Sequence, residues 1–116
     1  MKSYAIDPDD GTDSPDIDPT TMFDVLSNER RQHALRYLSH KPAAVPLGDV
    51  AEYIAVHEGE PTRDRYERVL TGLYHLHLPH LLEAALVTYD DDQQTVGLRV
   101  DDDELRPYFD LLTTAE

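Results

Sequence analysis

The sequence predicts a mainly α domain of the α+β class, and three observations predict it. Apolar residues recur at helical spacing at Leu47, Val50, Ala51 and Ile54, at Tyr66, Leu70 and Leu73, and at Leu105, Tyr108, Phe109 and Leu112. Two extended runs, Leu86–Tyr89 and Thr95–Val100, flank the polar loop 90–94 and predict a hairpin. Arg63, Arg65 and Arg68 lie together on the third predicted helix of a chain whose net charge is −14. Three helices, a two-stranded wing and a closing amphipathic helix, in that order, describe a winged helix-turn-helix, in which the third helix enters the major groove.

The N-terminal end is the least structured by composition. Residues 2–19 hold six aspartates and three prolines and almost nothing apolar, so 1–19 is expected to be a disordered acidic tail. Order is expected from Thr20, with Thr21 and Asp24 spaced as a weak capping box before Met22, Phe23, Val25 and Leu26. Asn28 can cap a second, longer segment to about Ser39, with Glu29 in its first turn. Ala34, Leu35 and Leu38 would face the core there, and Arg31 and Gln32 would not. Lys41-Pro42 ends that helix. Val45 can form a minimal strand, and the stripe from Leu47 predicts a helix to about His57. Thr62 can cap the third helix, which buries Tyr66, Val69, Leu70, Leu73 and Leu76 and leaves Arg65, Arg68 and Gly72 opposite. Pro79 is expected to break it, with one or two further turns over His80–Ala85. The winged domain thus spans 20–100. The final segment, 101–116, reads as a dimerisation helix whose start Pro107 restricts.

Composition sets the function classes. The 116 residues suffice for one small domain. There is no cysteine, hence no thiol nucleophile, disulfide or thiolate metal site. No apolar run approaches a membrane span, and the N-terminus lacks the order of a secretory signal, so a cytoplasmic protein without membrane contact is expected. Between Arg30 and His80 there are seven Lys/Arg against six Asp/Glu, net +1; the remainder holds three against eighteen, net −15. That central window is the one plausible face for a polyanion. Asp outnumbers Glu sixteen to eight and Arg outnumbers Lys eight to two. Carboxylates spread this widely suggest adaptation to concentrated salt, whose screening weakens self-repulsion. A surface meant for a basic partner is the alternative.

Three stretches carry a resemblance. Phe23 to Arg31 reads Phe-Asp-Val-Leu-Ser-Asn-Glu-Arg-Arg, Asp49 to Ile54 reads Asp-Val-Ala-Glu-Tyr-Ile, and Leu73 to Leu81 reads Leu-Tyr-His-Leu-His-Leu-Pro-His-Leu. Over about residues 21–100 the chain resembles small acidic winged-helix proteins of haloarchaea. Its first stretch is also similar to the opening helix of ArsR-type repressors, without the cysteine ligands of their metal sensors. The resemblance implies a winged-helix fold and a role in transcriptional regulation.

The expected function is a homodimeric DNA-binding regulator that inserts the third helix, about 62–78, into the major groove. The alternative is a winged-helix module for protein–protein assembly without direct DNA contact. Candidate DNA contacts are Thr62, Arg63, Arg65, Arg68 and His75 on that helix, with Arg30, Arg31, Lys41 and Arg99 around it. Met22, Phe23, Leu105, Tyr108, Phe109 and Leu112 are expected at the dimer interface. Asp90, Asp91 and Asp92 at the wing tip oppose phosphate, so the wing stays off the duplex or inorganic cations bridge it. His75, His77 and His80 have poor spacing for a metal, and His77 is expected to pack at a helix junction. Asp101–Glu104 lacks the alternation of a calcium loop and suits a helix start. No glycine-rich nucleophile turn or phosphate loop frames a catalytic group, so neither an enzyme nor a cofactor is expected.

Overall fold

The computed structural model describes residues 17–114. The expected disordered tail therefore lies outside the described residues as far as residue 16. Helix α1 (Pro19–Leu26) starts ahead of Thr20, earlier than expected. Asp18 is its cap, accepting from the Thr21 N–H at 2.9 Å and the Thr21 hydroxyl at 3.0 Å, and Pro19 fills the first helical position. Proline is at ease there because that N–H has no helical partner, so the start signal is Asp18-Pro19 and not Thr21 with Asp24.

Helix α2 (Glu29–Ser39) starts as expected, with the Asn28 carboxamide oxygen accepting from Arg30 N–H at 2.9 Å and Arg31 N–H at 3.3 Å. Strand β1 (Val45–Pro46) leads directly into α3 (Leu47–Glu58), whose stripe of Leu47, Val50, Ala51 and Ile54 is buried. Gly59 closes α3 with φ at 137°, a backbone conformation that side chains oppose. Thr62 caps α4 (Arg63–Gly72) by accepting the Arg65 N–H at 3.1 Å.

Pro79 does not break the third helix. The chain passes through a π-helical turn, Leu73–His77, into α5 (Leu78–Glu83), with Pro79 in the first turn of the new segment. In the π-turn the Leu78 N–H donates to Leu73 C=O, five residues back. This wider turn accommodates the ring and missing donor that would disrupt a regular α-helix. It also rotates the following face: Leu76 is exposed, contrary to the continuous stripe, whereas Val69 and Leu73 are buried.

The wing is strands β2 (Val87–Asp90) and β3 (Thr95–Leu98), antiparallel, with Val87 opposite Leu98 and Asp90 opposite Thr95. Strand β1 adds to the other edge of β3 through Val45 opposite Val96, giving the order β1-β3-β2. The fold is a winged helix with a three-stranded antiparallel sheet. Helix α6 (Asp102–Thr114) begins with three carboxylates, where the helix dipole favours anions, and contains Pro107 in its interior. Pro107 therefore does not set the start of α6. Leu105 is fully buried in the chain's own core, and Tyr108, Phe109 and Leu112 pack against that core. No helix among the described residues is long and apolar enough to cross a membrane.

Candidate nucleic-acid interface

The arginines of α4 fall into two groups by what holds them. Arg63 and Arg68 have side chains 82 % and 66 % exposed, and each pairs one helical turn away, Arg63 with Glu67 at 3.7 Å and Arg68 with Asp64 at 2.6 Å. Exposed pairs of this kind contribute about 0.2–1 kcal/mol, so another anion can replace the carboxylate at little cost. Thr71 and His75 continue the same exposed side of the helix. Thr62, also exposed, has its hydroxyl oxygen occupied by the cap.

Arg65 belongs to the second group, together with Arg30. Both reach the Glu58 carboxylate at the end of α3: Arg30 with Nε at 2.6 Å and a second nitrogen at 3.1 Å, Arg65 at 3.5 Å. Arg65 also donates to the Glu58 backbone carbonyl at 3.3 Å. One carboxylate thus ties α2, α3 and α4 together. The hydrogen bond from Arg30 holds the Glu58 carboxyl below its ordinary pKa, and Glu58 in turn raises that of Arg30. The expectation that Arg65 sits opposite the packed face is corrected, because its side chain is drawn towards α3. Arg30 likewise lies beside Gly72, where an added Cβ would sit 3.5 Å from its guanidinium.

Arg31 is not at the surface. It is 7 % exposed, donating to the Val25 carbonyl at 2.8 Å and the Asp24 carbonyl at 3.3 Å, and lying 3.2 Å from His77 Nδ1. The last carbonyls of α1 lack helical donors, and the guanidinium fork supplies them. Arg31 is therefore withdrawn as a DNA contact and as a residue turned away from the core. His77 is 3 % exposed, and burial followed by the nearby Arg31 charge pushes its pKa down to about 4. His77 meets the expectation of a buried group at the helix junction.

The remaining candidates disperse. Lys41 lies over the Tyr37 ring at 4.7 Å and borders a hollow shared with Asp101 and Asp102, not with α4. Arg99 follows β3 at the base of the hairpin, the opposite end from the acidic turn. His75 is exposed beside Tyr74, with ring centroids 5.0 Å apart, and His80 meets Asp24 at 2.8 Å. The three histidines thus point to three different neighbours. Among the described residues no group of three or more His, Asp or Glu side chains could hold a metal ion.

Of the expected dimer residues, Met22 and Leu105 are fully buried inside one chain and present no surface to a partner. Phe23 is 55 % exposed and edge-on to Tyr108, with centroids 5.8 Å apart. Leu111, which the apolar stripe of α6 omits, is equally exposed. Phe109 lies under the Arg36 guanidinium at 4.9 Å.

Sequence reasoning missed Glu58 altogether. No local pattern marks it, because its partners lie 28 residues before it and seven after. It also missed a cleft of about 430 Å³ between α4, the start of α3 and the wing, lined by three tyrosines. Gly48 forms part of its floor. An added Cβ there would stand 2.7 Å from the Tyr66 hydroxyl, so the glycine lets that ring approach.

Residues 23–97 match the family described as a domain of unknown function, DUF7344, and the chain belongs to that family. No curated protein and no solved structure matches the chain.

Proposed function

We propose that this DUF7344 protein is a DNA-binding transcriptional regulator of the cytoplasm that presents α4 to the major groove. The observation that carries the reading is the division among the arginines: Arg65 and Arg30 fix the helix through Glu58, while Arg63 and Arg68 stand exposed on weak local pairs. A guanidinium released from such a pair can hold a phosphate or the edge of a guanine. Thr71 and His75 extend this side with further hydrogen-bonding groups. Asp64 and Glu67, beside them, penalise binding to any phosphate that does not displace them in register.

The reading includes a homodimer, formed through Phe23, Tyr108, Leu111 and Leu112, where Phe23 of α1 meets Tyr108 of α6. Two copies would place two α4 helices on a duplex. The distributed acidity is read as adaptation to concentrated salt, with inorganic cations between the acidic turn at Asp90–Asp92 and the duplex.

The test is duplex binding from about 0.1 to about 3 M KCl, over which the Debye length falls from ~10 Å to below ~3 Å. Arg63→Glu with Arg68→Glu should abolish specific binding and leave helix content unchanged. Arg65→Glu is a poor probe, since it sets a second carboxylate against Glu58 and disturbs the fold. Unchanged affinity in the Arg63/Arg68 variant would refute the assignment. The presence of carboxylates beside every α4 arginine favours the second reading, assembly with a basic protein. In that case duplex affinity is negligible at every salt concentration.

A further inference from the structure

The cleft between α4 and the wing differs in chemistry from the rest of the surface. Its wall carries no Asp, Glu, Lys or Arg, whereas four other hollows on the described surface each carry at least two. Tyr66, Tyr74 and Tyr89 line it, together with His75, Gln93 and Gln94. Among the described residues, the polar side-chain atoms of these six make no hydrogen bond within the chain. Tyr74 and Tyr89 meet at 65° with centroids 6.3 Å apart, edge to face, and Tyr74 is 44 % exposed.

Two further observations mark the site. Gln94 holds φ at 56°, in the left-handed region that glycine or asparagine adopts at less cost, and it is one of the residues lining the cleft. A left-handed residue other than glycine, standing at the wall of a cleft, is the kind of strained position that clusters at ligand sites. The turn leading to it carries Asp90, Asp91 and Asp92, in a chain of net charge −14. The resulting field is felt at the rim: burial, then Tyr74, Asp91 and Asp90, hold the Tyr89 proton on above the ordinary phenol range.

We propose that this cleft binds a free small organic ammonium ion, held against the faces of Tyr74, Tyr89 and Tyr66 and by the side-chain oxygens of Gln93 and Gln94. An anion would meet no lysine or arginine on the wall, and would be repelled by Asp90 and Asp91, whose charges already act on Tyr89. A neutral solute would gain nothing from that field. A compact metal ion prefers several oxygen ligands at about 2–2.6 Å, whereas no carboxylate lines the cleft and Asp90 Oδ1, in the adjoining turn, already accepts from Asp92 N–H at 3.0 Å and Gln93 N–H at 3.1 Å. A diffuse cation suits an aromatic wall, whose ring quadrupoles attract it without displacing a tight hydration shell. A space of about 430 Å³ is ample for a tetraalkylammonium. Such a site does not depend on DNA binding, since it exists in the free protein.

The experiment is an NMR titration of the full chain with tetramethylammonium chloride, replacing KCl at constant ionic strength, and in parallel with tert-butanol as an uncharged analogue of similar shape. The expected result is saturable shifts of the Tyr74 and Tyr89 ring signals with the ammonium and not with the alcohol. Tyr74→Leu should weaken binding roughly two- to fivefold, the loss of one ring face, while Tyr74→Phe retains it. Tyr74 is 44 % exposed and outside the packed core, so these variants keep the fold, which circular dichroism checks. Equal shifts with tert-butanol, no saturation, or equal loss in the Phe and Leu variants overturns the proposal. Tighter binding of a trimethyllysine peptide than of the free ion overturns the assignment to a free solute.

Discussion

Replacing Arg31 by Met removes the one buried guanidinium that joins α1, α2 and the π-turn. The Asp24 carbonyl keeps other donors, the Ser27 hydroxyl at 2.6 Å and the Ser27 N–H at 3.2 Å. The Val25 carbonyl and His77 Nδ1 lose the partner that Arg31 provides. Each orphaned buried group costs about 1–3 kcal/mol, and relief of the buried charge offsets part of that. The net loss is expected at about 2–4 kcal/mol, a large share of the roughly 5–15 kcal/mol typical of a domain. Urea denaturation at fixed KCl measures it. Wild-type stability should also fall with acid. His77 is neutral in the fold, with its pKa lowered from 6.5 to about 4, so its contribution is fully present above pH 6.5 and is lost as pH falls towards 4. At 1.36 kcal/mol per unit that contribution amounts to about 3 kcal/mol. In Arg31→Met the slope over this window should shrink without vanishing, because burial, the larger cause, persists. His77→Leu should remove it. An Arg31→Met variant within about 0.5 kcal/mol of wild type, or a His77→Leu variant with the full acid slope, would refute the network.

Other expectations concern single joints. Glu58→Gln leaves Arg30 and Arg65 facing each other without a counter-charge and should cost about 1–3 kcal/mol by urea denaturation. Because the Glu58 pKa is lowered in the fold, the wild-type contribution is present above pH 4.5 and lost below it, and the Gln variant should lack that loss. Asp18→Ala should lower stability by about 1 kcal/mol through loss of the α1 cap, a change that thermal unfolding resolves. Phe23→Ser with Leu111→Ser should convert a dimer to a monomer in light scattering, and a wild-type chain already monomeric at micromolar concentration removes the dimer proposal. Thermal midpoints should rise with KCl from ~0.1 to ~3 M as screening relieves carboxylate repulsion, and equal midpoints at both ends would exclude salt adaptation.

The sequence by itself determined what is settled within a few residues. The stripe of α3, the caps Asn28 and Thr62, and the strands around the 90–94 loop depend on spacing and on partners close by in the chain, so they are readable in order. Even the corrected start of α1 was present locally, as Asp18 followed by Pro19. Tertiary structure alone decided which polar groups are spent inside. Arg31 and Arg30 are neighbours with the same side chain, yet one is buried against His77, 46 residues away, and the other is shared with Arg65 at Glu58. Only packing reveals this, because a guanidinium on a helix is free or occupied according to which distant carbonyl or carboxylate the fold brings within reach. The same holds for Met22 and Leu105, whose apolar spacing shows that they are buried but not by which surface. The tyrosines of the cleft lie on α4, its π-turn and β2, and they share a wall only because the wing folds back towards the helix.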